Sequence, residues 1–497
     1  MRMTEGVTPD VPRLRVAEGG IGFLCCIAVC FFVSGCTGTP NGSSIDPQTK
    51  SSDAADSGAS GISRSLHDCT EHMKLLYATQ FSVDYYDGGY ASVSIADGQR
   101  FLIVPEEQAI PKDLARDVVV IPQNPGMVYL ASSSCMDFWR ELNALDRIPF
   151  TSTRQIDWDL SSVRRLMEDG QLEYVGKYSN VDYEYLVAEG CDLAVENAMI
   201  YHSPETLEKL QSLGIPVIVE RSSFEPEPLG RLEWIRLWGV VTGHRDQADA
   251  FFKKQAKKVQ RLSGTVGTDH RPSVMVFSVN ANGVIRVPTP DSYTASLIRM
   301  AGGVYALEDA TEKSWPSNAG ETIEEVAPPG GSETPNEDES VNAGDTRKQS
   351  HNTSIFMNLQ MEDFYTLAHN CDVLIYNGTI GDDLSSLREL KAINPLFSDF
   401  SAIQTGNVWC QNGDLFQHPT ALAQALRELK QALESANGSR TAENVPADDD
   451  MDNSRTAENR PADDDMDSSR TEENVPADDD MDNSRTAETS FIWKKLN

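Results

Sequence analysis

The sequence predicts an α/β protein of two similar lobes, each a mostly parallel sheet with flanking helices, joined by one long connecting helix. Three observations predict it. Short apolar runs alternate with helix-period segments from about Glu71 to Ala436. One helical pattern, from Pro228 to Val259, divides those runs into an earlier and a later set. The two sets also echo one another, as a carboxylate-bearing helix, a short turn and a buried strand.

In chain order, Arg13 and Arg15 precede an apolar run of 13 residues, Ile21 to Val33. A hydrocarbon core needs about 20, so the run has the length of a signal-peptide apolar region. It ends in Val33-Ser34-Gly35-Cys36, which resembles a bacterial lipobox. Residues 1–35 are therefore expected to be a lipoprotein signal peptide and Cys36 the lipidation site, placing the protein on the extracytoplasmic face of a cell membrane. Residues 36–70 are expected to form a flexible tether, being rich in Ser, Gly and Thr. Beyond Cys36, five cysteines remain: Cys69, Cys135, Cys191, Cys371 and Cys410. They show neither CxxC nor zinc-ligand spacing, so no disulfide framework or metal site is expected.

The N-terminal lobe, 71–227, opens on a hairpin around Asp97-Gly98. It continues with strands at Val118–Ile121, Val128–Ala131, Leu193–Val195 and Val217–Glu220. The connecting helix, 228–263, begins at Pro228, pre-set for a first turn. Its apolar positions include Leu232, Trp234, Ile235, Trp238, Val241, Ala248, Phe252 and Val259. The C-terminal lobe, 264–436, has strands at Ser273–Phe277, Val373–Tyr376 and Val408–Trp409. In the echo, Tyr183-Glu184-Tyr185-Leu186 leads to Cys191-Asp192, and Met361-Glu362-Asp363-Phe364-Tyr365 leads to Cys371-Asp372.

Two acidic segments interrupt this pattern, one at about 313–350 and one of 15-residue repeats (SRTAENVPADDDMDN and its variants) at 437–486. Both are too poor in apolar residues to offset the entropy of ordering a chain, and both are expected to be disordered. The DDDMD core of the repeat lacks the Gly turn and spaced ligands of a calcium loop. They contribute to a formal net charge of −34, from 42 Lys+Arg against 76 Asp+Glu. That balance excludes nucleic acid as a partner, which requires a basic face. The closing residues 487–497, with Phe491, Ile492, Trp493 and Leu496, are apolar enough to pack back on the core.

The stretch Val219-Glu220-Arg221-Ser222-Ser223-Phe224-Glu225-Pro226-Glu227-Pro228-Leu229-Gly230-Arg231-Leu232-Glu233-Trp234-Ile235 is similar to the signature that precedes the connecting helix in iron-complex binding proteins. With Gly176-Lys177-Tyr178, Glu196-Asn197-Ala198 and Met357-Asn358-Leu359, it resembles the substrate-binding lipoproteins of ABC importers for siderophore, haem or cobalamin, the periplasmic-binding-protein class with a helical backbone. The resemblance implies two Rossmann-like lobes with a ligand cleft between them and no catalytic residues. It implies no resident cofactor, the ligand being a ferric chelate, haem or cobalamin. The implied partners are a permease with its ATPase, a small-molecule iron complex, and the membrane through the lipid anchor. It further implies one carboxylate per lobe offered to permease arginines, Glu184 and Glu362. The plainer reading of either is a solvated helix face.

Cleft groups are expected just past strands or in the aromatic opening segment: Tyr85, Tyr86, Tyr129, Asn197, Arg221 and Asn377. Tyrosine gives a flat apolar face and a phenol. Arg221 gives a planar fork for an anionic chelate. The plainer alternatives are core packing for the tyrosines and pairing of Arg221 with Glu225 or Glu227. His202 and His418 are either haem ligands or structural. An enzyme is disfavoured, because the chain has no GxSxG, GxxxxGK[ST], HExxH or post-strand GxGxxG motif. The other functional reading is a surface adhesion lipoprotein that acts through its repeats.

Overall fold

The computed structural model describes residues 62–63, 66, 68–264, 271–280, 282–308, 356–378, 384–411, 415–443 and 493–497. Cys36, the acidic insert at 313–350 and the repeats from residue 444 lie outside the described residues.

A first sheet is built from β1 (Glu71–His72), β2 (Phe81–Tyr85), β3 (Ala91–Ile95), β4 (Arg100–Val104) and β5 (Val118–Pro122), paired in that order. It is antiparallel up to β4, with β5 parallel to β4. Period-two alternation turns Phe81, Val83 and Tyr85 inward and leaves Ser82 exposed. Ile62, inside the stretch expected as tether, is buried with Tyr90, Leu102 and Val104, so the folded part begins earlier than residue 71.

The second sheet holds β6 (Val128–Leu130), β7 (Phe150–Thr151) and β8 (Glu173–Tyr174). After a two-strand ribbon, β9 (Gly176–Lys177) and β10 (Asn180–Val181), come β11 (Leu193–Asn197) and β12 (Val217–Glu220). Its order is β12-β11-β6-β7-β8 and every neighbour is parallel. Crossover helices α1 (Ser133–Glu141), α2 (Ser161–Glu168), α3 (Tyr183–Ala188) and α4 (Pro204–Ser212) cover it. With both faces covered, its strands read as unbroken apolar runs such as Val217-Ile218-Val219. The order reverses between β6 and β11, which opens a crevice at the C-terminal ends of these strands.

The connection is not one helix. It divides into α5 (Pro228–Val241) and α6 (Arg245–Leu262) at Thr242-Gly243-His244, where Gly243 has φ +74°. The Thr242 hydroxyl donates to the Trp238 carbonyl at 2.8 Å and closes the last turn. The chain then turns back. Arg236 of α5 reaches Asp249 of α6 at 2.7 Å, and a Cβ on Gly239 would stand 2.4 Å from that of Ala248. The apolar pattern reads as continuous because both helices bury apolar faces, α5 on nearly all sides. In the first lobe, Trp234 packs against Phe81 and Trp238 against Trp139.

The C-terminal lobe has β13 (Ser273–Val279), β14 (Ile285–Pro288), β15 (Val304–Tyr305), β16 (Phe356–Leu359), β17 (Val373–Asn377), β18 (Val408–Gln411) and β19 (Trp493–Lys495). The order is β16-β14-β13-β17-β18-β19, with β15 also beside β13. β15, β13, β17 and β18 are parallel. Helices α7 (Tyr293–Met300), α8 (Met361–Ala368), α9 (Leu387–Ile393), α10 (Ser401–Gln404) and α11 (Leu422–Glu443) complete it. α11 runs past residue 437, where the repeat region was expected to begin. At the C-terminal end, β19 pairs antiparallel with β18, and Trp493 donates its indole N–H to the Ala425 carbonyl at 3.0 Å.

Candidate functional site

The crevice of the first lobe meets the second lobe along a polar seam. Beyond β6, Ser132 and Ser134 donate to one oxygen of Glu220 at the end of β12, at 3.2 and 3.4 Å; the Ser222 N–H donates to its other oxygen at 2.7 Å. Glu220 is 2% exposed, and burial raises its pKa, which the nearby Arg231 charge partly opposes. Arg231, in the first turn of α5, is 3% exposed. Its guanidinium lies 4.7 Å from the Phe416 ring centroid and 5.5 Å from that of Tyr293, both from the second lobe. One guanidinium nitrogen donates to the Phe416 carbonyl at 3.3 Å, while Nε has no partner among the described residues. The seam thus holds an enclosed cation between two aromatic rings, with a carboxylate and hydroxyls beside it.

The segment after Phe416 fastens the lobes. The buried Asp137 of α1 accepts from the Thr420 N–H at 2.9 Å and the Thr420 hydroxyl at 2.6 Å, and Arg140 donates to its other oxygen at 2.9 and 2.7 Å. Gln417 accepts from the Asp159 N–H and donates to the Asp157 carbonyl, each at 2.9 Å. His418 Nε2 lies 3.0 Å from Asp159.

Tyr85, Tyr86, Tyr129 and Arg221 make their contacts outside the seam, for local reasons, while Asn197 stands in register with Glu220 at the strand ends. Tyr85 turns inward from β2 under Arg245 of α6, whose guanidinium is 3.8 Å from its ring; burial pushes its phenol up to about 12. Tyr86 falls on the opposite side, against the small cluster of Leu102 and Val104. Tyr129 is 0% exposed in a core cluster with Phe150, Ala194 and Val219, and presents no surface to a ligand. Asn197 spends its carbonyl oxygen on the Met199 N–H at 2.9 Å, a local turn. Arg221 lies over Phe224 at 4.0 Å and faces Asp97 at 3.9 Å, so its charge partner is neither Glu225 nor Glu227; Tyr201 donates to the same Asp97. Asn377 is buried at the end of β17, opposite Gln411 in register. Glu184 and Glu362 are exposed in the first turns of α3 and α8. His202 is exposed at the end of a short 3-10 turn.

The conspicuous motif itself is mostly a clamp. Glu225 accepts from the N–H groups of Thr79 and Gln80 and from the Trp234 indole, and Glu233 accepts from those of Leu76, Tyr77 and Ala78. Gly230 lets the chain pass close, since a Cβ there would be 3.1 Å from the Tyr77 carbonyl oxygen. Only Glu220, Ser222 and Arg231 of the motif address the seam.

Residues 149–329, which include β12, Glu220 and Arg231, match the family model described as periplasmic binding protein. That stretch is therefore similar to the periplasmic binding protein family. The chain is similar to two uncharacterised lipoproteins of Methanocaldococcus jannaschii. One is 23% identical over 349 residues, covering 68% of this chain and 77% of the relative; the other is 22% identical over 371 residues, covering 69% and 77%. Among solved structures it is similar to the periplasmic haem-binding protein HutB of Vibrio cholerae, at TM-score 0.44 and 14% identity, covering 61% of this chain and 98% of that one. It is also similar to the petrobactin-binding protein YclQ of Bacillus subtilis, at TM-score 0.45 and 16% identity, covering 69% and 99%. Among the described residues, no helix is long and apolar enough to cross a membrane.

Proposed function

We propose that this chain is a periplasmic binding protein that captures an anionic iron complex, a ferric siderophore or haem, in the seam around Arg231 and delivers it to an ABC importer permease while anchored through Cys36. The observation that carries the reading is the enclosed Arg231, whose Nε lacks a partner among the described residues and whose guanidinium lies between Phe416 and Tyr293. A buried cation without a full set of acceptors is costly unless something anionic completes it. Two aromatic faces beside it suit a flat or catecholate ligand. Cobalamin, which offers no comparable anionic chelate, is the weaker fit.

The match of residues 149–329 to the periplasmic binding protein model supports solute capture, and the motif around Arg231 supports the iron-complex class by resemblance. The exposed first-turn carboxylates Glu184 and Glu362, one per lobe, are the proposed docking charges for the permease. Titration of the purified protein with a ferric siderophore, haem and cobalamin, followed by Trp fluorescence, tests the reading. Saturable one-to-one binding of an anionic iron complex is the expected result; binding of cobalamin alone, or of none of the three, overturns it.

A further inference from the structure

The sequence gives no metal-ligand spacing to Cys69, His72 and Asp84, yet the fold brings them together. β1 pairs antiparallel with β2 so that His72 stands directly opposite Asp84, and Cys69 lies just before β1. His72 Nδ1 is 2.6 Å from Asp84 Oδ1 and 3.7 Å from Cys69 Sγ, and one ligand atom from each residue falls within 4.8 Å of the other two. These residues gather at the β1 edge of the first sheet, and none of them belongs to the seam described above.

We propose that Cys69, His72 and Asp84 form a surface site for a borderline divalent cation, Zn²⁺ or a similar ion, with a fourth position open to solvent. Thiolate, imidazole and carboxylate are the donor set such an ion takes, at about 2.3 Å for sulfur and about 2.0–2.2 Å for nitrogen and oxygen. Those bond lengths put tetrahedral sulfur and nitrogen roughly 3.5 Å apart, so the 3.7 Å between Cys69 Sγ and His72 Nδ1 is already near the required edge. The nitrogen–oxygen edge must open from 2.6 Å to roughly 3.3 Å. The exposed His72 side chain, 77% accessible, has room for that movement. The site resembles open zinc centres with three protein ligands in donor number, and leaves one position for water or an outside ligand.

The test uses the full chain, reduced and free of metal. Titration with Co²⁺ is expected to give one equivalent of binding with a thiolate-to-metal charge-transfer band, which Zn²⁺ then displaces. Cys69→Ser is expected to abolish the band, and His72→Gln and Asp84→Asn to weaken Zn²⁺ binding by about 10–100-fold. Alkylation provides a second measure that needs no variant. Cys135, Cys191, Cys371 and Cys410 are buried, so Zn²⁺ is expected to protect Cys69 selectively from a thiol reagent, as mapped by mass spectrometry. A Co²⁺ complex without the thiolate band, or Cys69 alkylation at the same rate with and without Zn²⁺, overturns the proposal.

Discussion

Arg231 and Phe416 meet across the two lobes, with the guanidinium carbon 4.7 Å from the ring centroid and a guanidinium nitrogen 3.3 Å from the Phe416 carbonyl oxygen. One residue opens α5 and the other precedes α11, so the contact tightens or loosens with the approach of the lobes. A ligand that completes the Arg231 hydrogen bonding therefore acts where the lobes join.

This placement separates two arginines that lie ten residues apart. Arg231→Ala is expected to weaken binding of the iron complex by about 10–100-fold, the loss of a charge-assisted hydrogen bond of about 1.5–3 kcal/mol. Arg221→Ala is expected to leave affinity nearly unchanged, because Asp97 and Phe224 already occupy that guanidinium. Fluorescence titration of both variants checks this. Equal losses would place the ligand nearer the Arg221 face than the seam.

The fastening between Asp137 and Thr420 is expected to stabilise the joined lobes. Thr420→Val removes the hydroxyl that donates to a fully enclosed carboxylate at 2.6 Å. The expected cost is about 1–3 kcal/mol, since a buried acceptor loses one of its donors. Urea denaturation reads it directly, and an unchanged midpoint would show that the contact contributes nothing to the folded state.

Delivery is expected to fail independently of capture. Replacing Glu184 and Glu362 together with Ala should preserve solution affinity, because both side chains are exposed on first turns, whereas the proposed ligand partner Arg231 is enclosed. Uptake in cells should fall sharply, because exposed complementary charges govern encounter and orientation with a partner. A double variant that transports normally would remove these two residues from the docking surface.

The lobes were legible because apolar runs and helix-period segments differ in period, and parallel strands buried on both faces stand out. The division of the connection at Gly243 was not legible, because apolar residues continue at helical spacing through both halves. Backbone alternation also separates two of the expected cleft residues. Tyr85 and Tyr86 are adjacent, so alternation sends one under α6 and the other to a different cluster. Arg231 carried a usable signal. A charge near the start of a helix that is apolar on every side must be enclosed, and enclosed charges need partners. Glu225 and Glu233 share that environment and prove to hold the 76–80 backbone, so the motif marks a clamp and a site together.

The helical hairpin gives a sharp steric expectation. Gly239→Val would drive its Cβ into that of Ala248, only 2.4 Å away on the adjacent helix, and overpacking of this kind costs about 1–3 kcal/mol or more. Ala248→Gly in the same chain should recover part of the loss. If the single substitution melts like the parent protein, the two helices do not approach as closely as described.

Glu196 links the first lobe to pH. It sits on β11 at 0% exposure, and neither carboxylate oxygen has a hydrogen-bond partner among the described residues. Burial alone raises its pKa from 4.5 to about 8. The folded chain therefore keeps a proton that the unfolded chain releases across that interval, so the stability contributed by the protonated form is fully present below pH 4.5 and is lost as pH rises through about 8. Glu196→Gln keeps the shape and removes the titration. Urea midpoints measured from pH 5.5 to 8.5 should fall more steeply for the parent protein than for Glu196→Gln, with the gap widening toward alkaline pH. Parallel curves would mean that Glu196 ionises in the folded chain much as it does in the unfolded one, and that water or another group reaches it.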